Sequence, residues 1–394
     1  MELKYKLAKD TISEEDILAL SVWLSKNPRL TQGELVKQFE NKWSQWIGTK
    51  YSVFCNSGSS ANLLAVNSLK LKVQYQKAGT NPYKAIVPSV GWSTTVSPFM
   101  QLGYQLSMCE ADKNHFGLDI NHLIKLIEKE NPSIVALVQV LGIPNEMEKI
   151  RELQKEYNFL ILEDACAALG SSYKDKKIGS FGDISTFSFY FGHQLSTIEG
   201  GMVCTDDEEL YHYLLMLRSH GWGKDLPEKK YNELMDFYGV NDFHKPFTFF
   251  IPGYNLRGTD LQAFIGIRQV EKGQYVADRR NENHRYYYEK LKDTFKMQII
   301  NDDMIVSSIS VGVLANSTED RQKIVEQLNK NGIETRIFSA GNLGRHPFWR
   351  EKYGEFSAEM ANKIHTCGFF LPNYPELTKK DINFITDIVK ESIK

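Results

Sequence analysis

Three short stretches of this chain carry residue types that can do chemistry. The first is NSGSSANLL, Asn56–Leu64, where small residues follow an apolar run and open a helical pattern. A helix N-terminus presents free N–H groups that can hold a phosphate. Gly58 would let the backbone approach closely, and Ser59 and Ser60 add hydroxyls. Plain helix capping by Ser57 or Ser59 explains the same letters. The second is ILEDACAALG, Ile161–Gly170, an apolar strand ending in Glu163-Asp164. A carboxylate there can pair with a buried cation, cap a helix or lie at the surface. The third is GSFGDISTFSFYFGHQLSTIEGGMV, Gly179–Val203, which carries His193. An imidazole moves protons well near neutral pH, its unperturbed pKa being about 6.5.

These residues need a scaffold that collects them. Apolar, β-branched runs predict strands at Tyr51–Cys55, Ala85–Val90, Leu106–Glu110, Ile134–Leu141, Phe159–Glu163, Ser185–Tyr190 and Gly201–Thr205. Helical patterns lie between several of them, as at Asn121–Glu130 and Met147–Tyr157. Continuous apolar strands separated by helices argue for a largely parallel sheet covered on both faces. In such sheets ligands bind at the carboxyl ends of strands, where NSG, PSVG and EDAC all fall. A polar and aromatic insertion, Asp225–Phe250, precedes PGYNLR and a long helical pattern, Asp260–Lys292. A strand at Ser307–Ala315, a helix after Glu319 and a last helix near Lys380–Ile393 suggest a smaller α/β unit. The expected division is 1–255 and 256–394.

Bulk properties narrow the class. The 394 residues are 42% hydrophobic and 24% charged with net charge -2, which gives no nucleic-acid footprint. The start lacks an apolar core for a signal peptide, and Ser133–Ile143 is too short to span a bilayer. The five cysteines are scattered and form no C-x-x-C pair. A cytoplasmic protein without a metal or membrane partner is the expectation.

The order of the motifs resembles the vitamin B6-dependent sugar aminotransferases of the DegT/DnrJ/EryC1/StrS type, which act on nucleotide-linked keto-sugars. Gly179, Gly182, Asp183, Phe187, Ser188, Phe189, Glu199, Gly200 and Gly201 fit the pattern around that family's cofactor lysine. His193 stands at the lysine position and Gln194 at the asparagine after it. Thr31–Glu40, Val87–Thr95, Leu141–Ile150, Arg218–Trp222 and Gly253–Val270 match further segments in family order. The resemblance runs from about Thr31 to Phe348.

It implies a fold-type I, aspartate aminotransferase-like α/β architecture, with a mixed, mostly parallel seven-stranded sheet and a smaller C-terminal α/β domain. The implied cofactor is pyridoxal 5'-phosphate or its amine form, pyridoxamine 5'-phosphate. Carried over by position, Gly58, Ser59 and Ser188 hold the phosphate, Asp164 pairs with the pyridine nitrogen, and Trp92 stacks on the ring. Asn255 reaches the phosphate from the neighbouring subunit, which implies a homodimer with shared active sites. Many relatives carry a polar residue three positions after the aspartate, where this chain has Ala167. His220 matches an active-site histidine of the family, with a structural histidine as the competing reading. Arg336 and Asn342 are expected to face the sugar nucleotide.

Histidine for lysine removes the covalent tether and keeps a base. The implied outcome is loss of water. His193 takes a proton, the C3 hydroxyl of a 4-keto sugar leaves, and hydrolysis yields a 3-deoxy-4-keto sugar and ammonia. L-Glutamate then reloads the cofactor. GDP-linked 4-keto-6-deoxymannose, on a dideoxysugar route such as that to colitose in lipopolysaccharide O-antigen, is the expected substrate. A CDP- or dTDP-linked sugar, or a non-catalytic cofactor-binding homologue, are the alternatives. A dehydratase branch with an iron–sulfur cluster is disfavoured by the cysteine spacing.

Overall fold

The computed structural model of the chain describes residues 3–76 and 83–394. The main sheet contains β1 (Tyr51–Cys55), β2 (Lys84–Pro88), β3 (Gln105–Cys109), β4 (Ile134–Val138) and β5 (Leu160–Asp164). After a small hairpin of β6 (Ser172–Tyr173) and β7 (Lys176–Lys177), it is completed by β8 (Ile184–Ser188) and β9 (Gly201–Thr205). The spatial order is β1-β9-β8-β5-β4-β2-β3. Only β9 runs against its neighbours, so the sheet is mixed and mostly parallel.

Both faces are covered, which is why β4, β8 and β9 are buried along their whole length. Helix Gly58–Gln76 lies on one face with helix Glu208–Arg218, around Leu64, Leu69, Val203 and Leu214. On the other, helices Ile120–Glu130 and Met147–Tyr157 bury Leu123, Ile127, Ile150 and Leu153. Helix Glu34–Ile47 adds Val36, Phe39 and Trp43 beside Phe187 and Phe189.

The smaller unit is built on β11 (Ser310–Leu314) paired antiparallel with β12 (Gly368–Pro372); β10 (Met304–Ile305) pairs with β6. Helix Asp260–Leu291 serves both cores. Ala263 and Val270 join Phe39, whereas Tyr287 and Leu291 join Val311, Ile324 and Phe369. Gly266 allows the first contact, since an added Cβ would stand 2.6 Å from the Phe39 ring.

Several boundaries differ from the sequence reading. The strand expected at Ile134–Leu141 ends at Val138, because a 3-10 turn follows with Leu141 left-handed at φ 55°. The strand expected at Ser307–Ala315 begins at Ser310, and its partner β12 is additional. The insertion contains helix Glu228–Phe237. The N-terminal segment forms helix Glu14–Leu24 and ties back to the smaller unit, where Tyr5 Oη donates to Asp381 at 2.8 Å.

One buried ion pair joins three elements. Arg218 donates to Glu40 Oε1 at 2.5 Å and to the Phe54 carbonyl at 2.9 Å, and Glu40 accepts from the Phe54 N–H. Removing one member of such a pair strands a buried charge. Arg218→Ala is therefore expected to cost about 3–5 kcal/mol, read by chemical denaturation; a loss below about 1 kcal/mol would refute the assignment.

Candidate active site

The segments that follow β1, β2 and β5 meet β8 around Asp164, at the carboxyl end of β5. Side chains alternate along a strand, so the adjacent acids Glu163 and Asp164 face opposite ways. Glu163 is fully buried and accepts from Gln139 at 2.9 Å and from the Gly179, Phe181 and Gly182 N–H groups at 2.7, 3.1 and 3.0 Å. Asp183 accepts from the Ile161 N–H at 2.7 Å. The glycine and aspartate letters of Gly179–Asp183 thus lock β8 beside β5.

Asp164 faces the pocket and is 4% exposed. Its Oδ2 accepts from Thr95 Oγ1 at 2.6 Å and Asn62 Nδ2 at 3.1 Å, and its Oδ1 from the Cys166 N–H at 3.1 Å. Asn62 is held in turn by Thr186, which donates to its Oδ1 at 2.6 Å. Sequence reasoning did not single out Asn62, Thr95 or Thr186. All three do lie inside the quoted stretches, Asn62 one helical turn beyond Gly58, Thr95 three residues beyond Trp92 and Thr186 two residues before Ser188.

Gly58 opens its helix against β8. An added Cβ would stand 2.5 Å from Ser188 Cβ, so a side chain cannot be placed there without displacing β8. Ser57, rather than Ser59, is the cap: its Oγ accepts from the Ser60 N–H at 3.1 Å. Ser59 is exposed and donates to Thr94 Oγ1 at 3.1 Å, which links the Gly58 turn to the Trp92 loop. Trp92 is 50% exposed, and the Arg336 guanidinium lies 5.9 Å from its ring centroid.

His193 sits in the loop between β8 and β9. Its N–H donates to the Tyr190 carbonyl at 2.9 Å, and its Nδ1 is buried without a partner. Gln194 fastens the loop by donating to the Ala167 and Ser307 carbonyls. Thr11 Oγ1 accepts from the Ser196 N–H at 3.1 Å, so the N-terminal segment backs the same loop. Burial pushes His193 down to about 4; the Cys166 backbone and Asp164 oppose this shift, and the Arg280 and Arg336 charges add to it. The imidazole is therefore neutral at pH 7 and able to accept a proton.

His220 and Asn255 form a second group. An antiparallel bridge between Ser219 and Asn255 sets their segments side by side, and the His220 N–H donates to the Tyr254 carbonyl. The backbones touch here: a Cβ on Gly221 would overlap the Ile251 carbonyl, and His220 itself has φ 63°. Both side chains are exposed, and Asn255 Oδ1 accepts from Arg257 at 3.1 Å. Asn342 departs from the expectation. It is fully buried, donates to the Phe356 carbonyl and Asn362 at 3.0 Å, and accepts from the Gly344 N–H at 2.9 Å. It shapes its own loop and has no polar group to offer a sugar.

Among the described residues, the His, Cys, Asp and Glu side chains spaced for a metal are Asp112, His115 and Glu146, a group without cysteine. Among them, too, no helix is long and apolar enough to cross a membrane.

This fold and pocket belong to B6-dependent enzymes of fold-type I. The chain is a member of the DegT/DnrJ/EryC1/StrS aminotransferase family, whose model matches residues 11–390. It is 32% identical over 98% of its length to the whole of GDP-4-keto-6-deoxy-D-mannose 3-dehydratase from Escherichia coli O55:H7. The enzyme of that name from Yersinia pseudotuberculosis is 33% identical, over 99% of each chain. Among solved structures, the E. coli enzyme with bound hydrated PLP superposes with TM-score 0.88 at 28% identity, covering 99% of this chain and 100% of that one. A mutant of GDP-4-keto-6-deoxymannose-3-dehydratase with bound GDP-perosamine gives TM-score 0.89 at 30% identity, covering 98% and 100%.

The charge state of His193 can be measured on its own. In the cofactor-free protein, its ring resonances should titrate with a midpoint near 4. A midpoint at or above the free-imidazole value of about 6.5 would contradict the desolvated setting described here.

Proposed function

We propose that the protein is a pyridoxal/pyridoxamine 5'-phosphate-dependent dehydratase that removes the C3 hydroxyl of a nucleotide-linked 4-keto-6-deoxy sugar, with GDP-4-keto-6-deoxy-D-mannose as substrate. The observation that carries this reading is a neutral imidazole at His193 in the position of the family lysine, beside an anchored Asp164. The pocket suits the cofactor. The anchored Asp164 carboxylate suits a protonated ring nitrogen, and the first turn of helix Gly58–Gln76, packed against Ser188, suits a phosphate. Asp164 would hold the pyridine nitrogen, Trp92 would cover the ring, and Gly58, Ser59 and Ser188 would hold the phosphate.

The bound cofactor supplies an amine to join the sugar ketone and an electron sink through which the C3 hydroxyl departs. The chain supplies position and proton movement. His193 cannot tether the cofactor covalently, so every contact that retains it is non-covalent. Uncharged at neutral pH, His193 would accept a proton on its imidazole ring. Asp164, fixed by Asn62, Thr95 and the Cys166 N–H, keeps its carboxylate in one orientation. Arg336 beside Trp92 adds a cation for an anionic part of the substrate or for L-glutamate, the amino donor.

The working unit in this reading is a homodimer. His220 and Asn255 are exposed together, and the adjoining insertion exposes Phe237, Tyr238, Phe243 and Phe247. An apolar surface of that kind marks an association face. Asn255 would reach the neighbour's phosphate, and His220 would stand near the leaving hydroxyl. The 1–255 and 256–394 division keeps the cofactor pocket in the larger unit, with Arg336 contributed by the smaller. The enzyme would act in the cytoplasm on a dideoxysugar route such as that to colitose.

His193→Asn should lower ammonia release from GDP-4-keto-6-deoxymannose and glutamate by roughly 10²–10⁴-fold. His193→Lys should do the same while acquiring the absorbance of a covalently held cofactor. A His193→Asn protein that dehydrates as well as the parent would rule out the base role.

A further inference from the structure

The N-terminal segment, residues 4–13, runs from the smaller unit to the His193 loop. At its start it lies parallel to the smaller unit. Tyr5 bridges Ile333, its N–H donates to the Gly332 carbonyl at 3.0 Å, and its carbonyl accepts from the Glu334 N–H at 2.8 Å. The Leu7 N–H donates to Glu334 Oε2 at 2.7 Å, and the Leu7 side chain packs against the cluster that holds Val90, Leu141, Phe338 and Phe370. Beyond Leu7 the segment brackets His193. Ala8 flanks the residue before it, since a Cβ added at Gly192 would lie 3.7 Å from Ala8 Cβ. Thr11 meets the residue three positions after it, where its hydroxyl accepts from the Ser196 N–H at 3.1 Å.

The Thr11 hydroxyl has a partner on each side, because it also donates to Gln269 Oε1 at 2.7 Å. Gln269 is buried on helix Asp260–Leu291, and its Nε2 donates to the Thr11 carbonyl and to Asp16 Oδ2, each at 3.2 Å. Asp16 is fixed in turn by Arg268 at 2.8 Å and Lys272 at 2.5 Å. A chain of hydrogen bonds therefore runs from a buried carboxylate, through Gln269 and Thr11, to the backbone beside His193. The loop needs such support. Ile198 is β-branched, exposed and held at φ 73°, a conformation that persists only where neighbouring contacts over-determine it. Its N–H donates to Ser196 Oγ at 3.0 Å, so the strained turn starts at the residue that Thr11 holds.

We propose that the N-terminal segment sets the place of the His193 imidazole, with Thr11 as a positioning residue for the proton transfer. The inference rests on the base role given to His193 above. Thr11 acts through the loop backbone. Without its hydroxyl the Ser196 N–H loses this acceptor, the loop relaxes, and the ring gains access to water. Asp164, Arg280 and Arg336 keep their charges around the ring, so the change it feels is a loss of desolvation, which favours the protonated form.

Thr11→Val keeps the shape of the side chain and removes the hydroxyl, whereas Thr11→Ser keeps the hydroxyl. In the valine variant, kcat for ammonia release should fall roughly 10–100-fold, the range for a catalytic group misplaced by up to about 1 Å. KM for the nucleotide sugar should not change. In the cofactor-free valine variant, the His193 ring should titrate above the parent's midpoint near 4, moving toward the free-imidazole value of about 6.5. Thr11→Ser should restore both kcat and midpoint. The melting temperature should fall by no more than about 4 °C, since one neutral hydrogen bond is worth about 1 kcal/mol. Thr11→Ala carries the same test if the valine variant folds poorly. An unchanged midpoint would overturn the proposal, as would a kcat equal to that of an active parent, or a loss that Thr11→Ser fails to restore. The titration needs no turnover: a protein that releases no ammonia yet shows the shifted midpoint keeps this role for Thr11 and loses the dehydratase reading.

Discussion

Desolvation of one imidazole governs the site. His193 lies close enough to Asp164 to feel its negative charge, which by itself would favour protonation. Burial outweighs that attraction, and Arg280 and Arg336 reinforce it. The neutral ring is a base in its resting state. Gln194 holds the loop to the Ala167 and Ser307 carbonyls, and Thr11 closes over it from the N-terminal segment.

Asp164 depends on a different kind of restraint. Three donors fix it, and each comes from a different part of the chain: Asn62 from the Gly58 helix, Thr95 from the Trp92 loop, and the Cys166 N–H from its own turn. The three segments that bear the pocket are thus joined at one carboxylate. Its neighbour Glu163 performs a structural task on the opposite face, where four donors tie the Gly179–Gly182 turn to β4 and β5. Adjacent acids with separate duties follow from strand alternation alone.

Much of this was legible in the sequence, for physical reasons. Strands buried on both faces read as continuous apolar runs, so β1 and β9 fall at their expected limits and β8 within one or two residues at each end. Gly58 and Asp164 drew attention by opening a helical pattern and closing an apolar strand, whereas Ser188 and Trp92 were singled out only through the family resemblance. Other features depend on contacts remote in sequence. Thr11 meets Ser196, and Tyr5 meets Asp381, across separations no local pattern encodes. Asn342 had the polar type of a ligand contact, yet its amide is consumed by Phe356, Asn362 and Gly344, where it caps the short turn Leu343–Arg345. Polar type marks capacity to bind, and burial decides which partner takes it.

The fate of nitrogen separates dehydration from amination most directly. With ¹⁵N-labelled L-glutamate and GDP-4-keto-6-deoxymannose, mass spectrometry should find the label in free ammonia and a sugar nucleotide that has lost a hydroxyl and carries no nitrogen on its sugar ring. Label retained in an amino-sugar nucleotide as the main product would contradict the account.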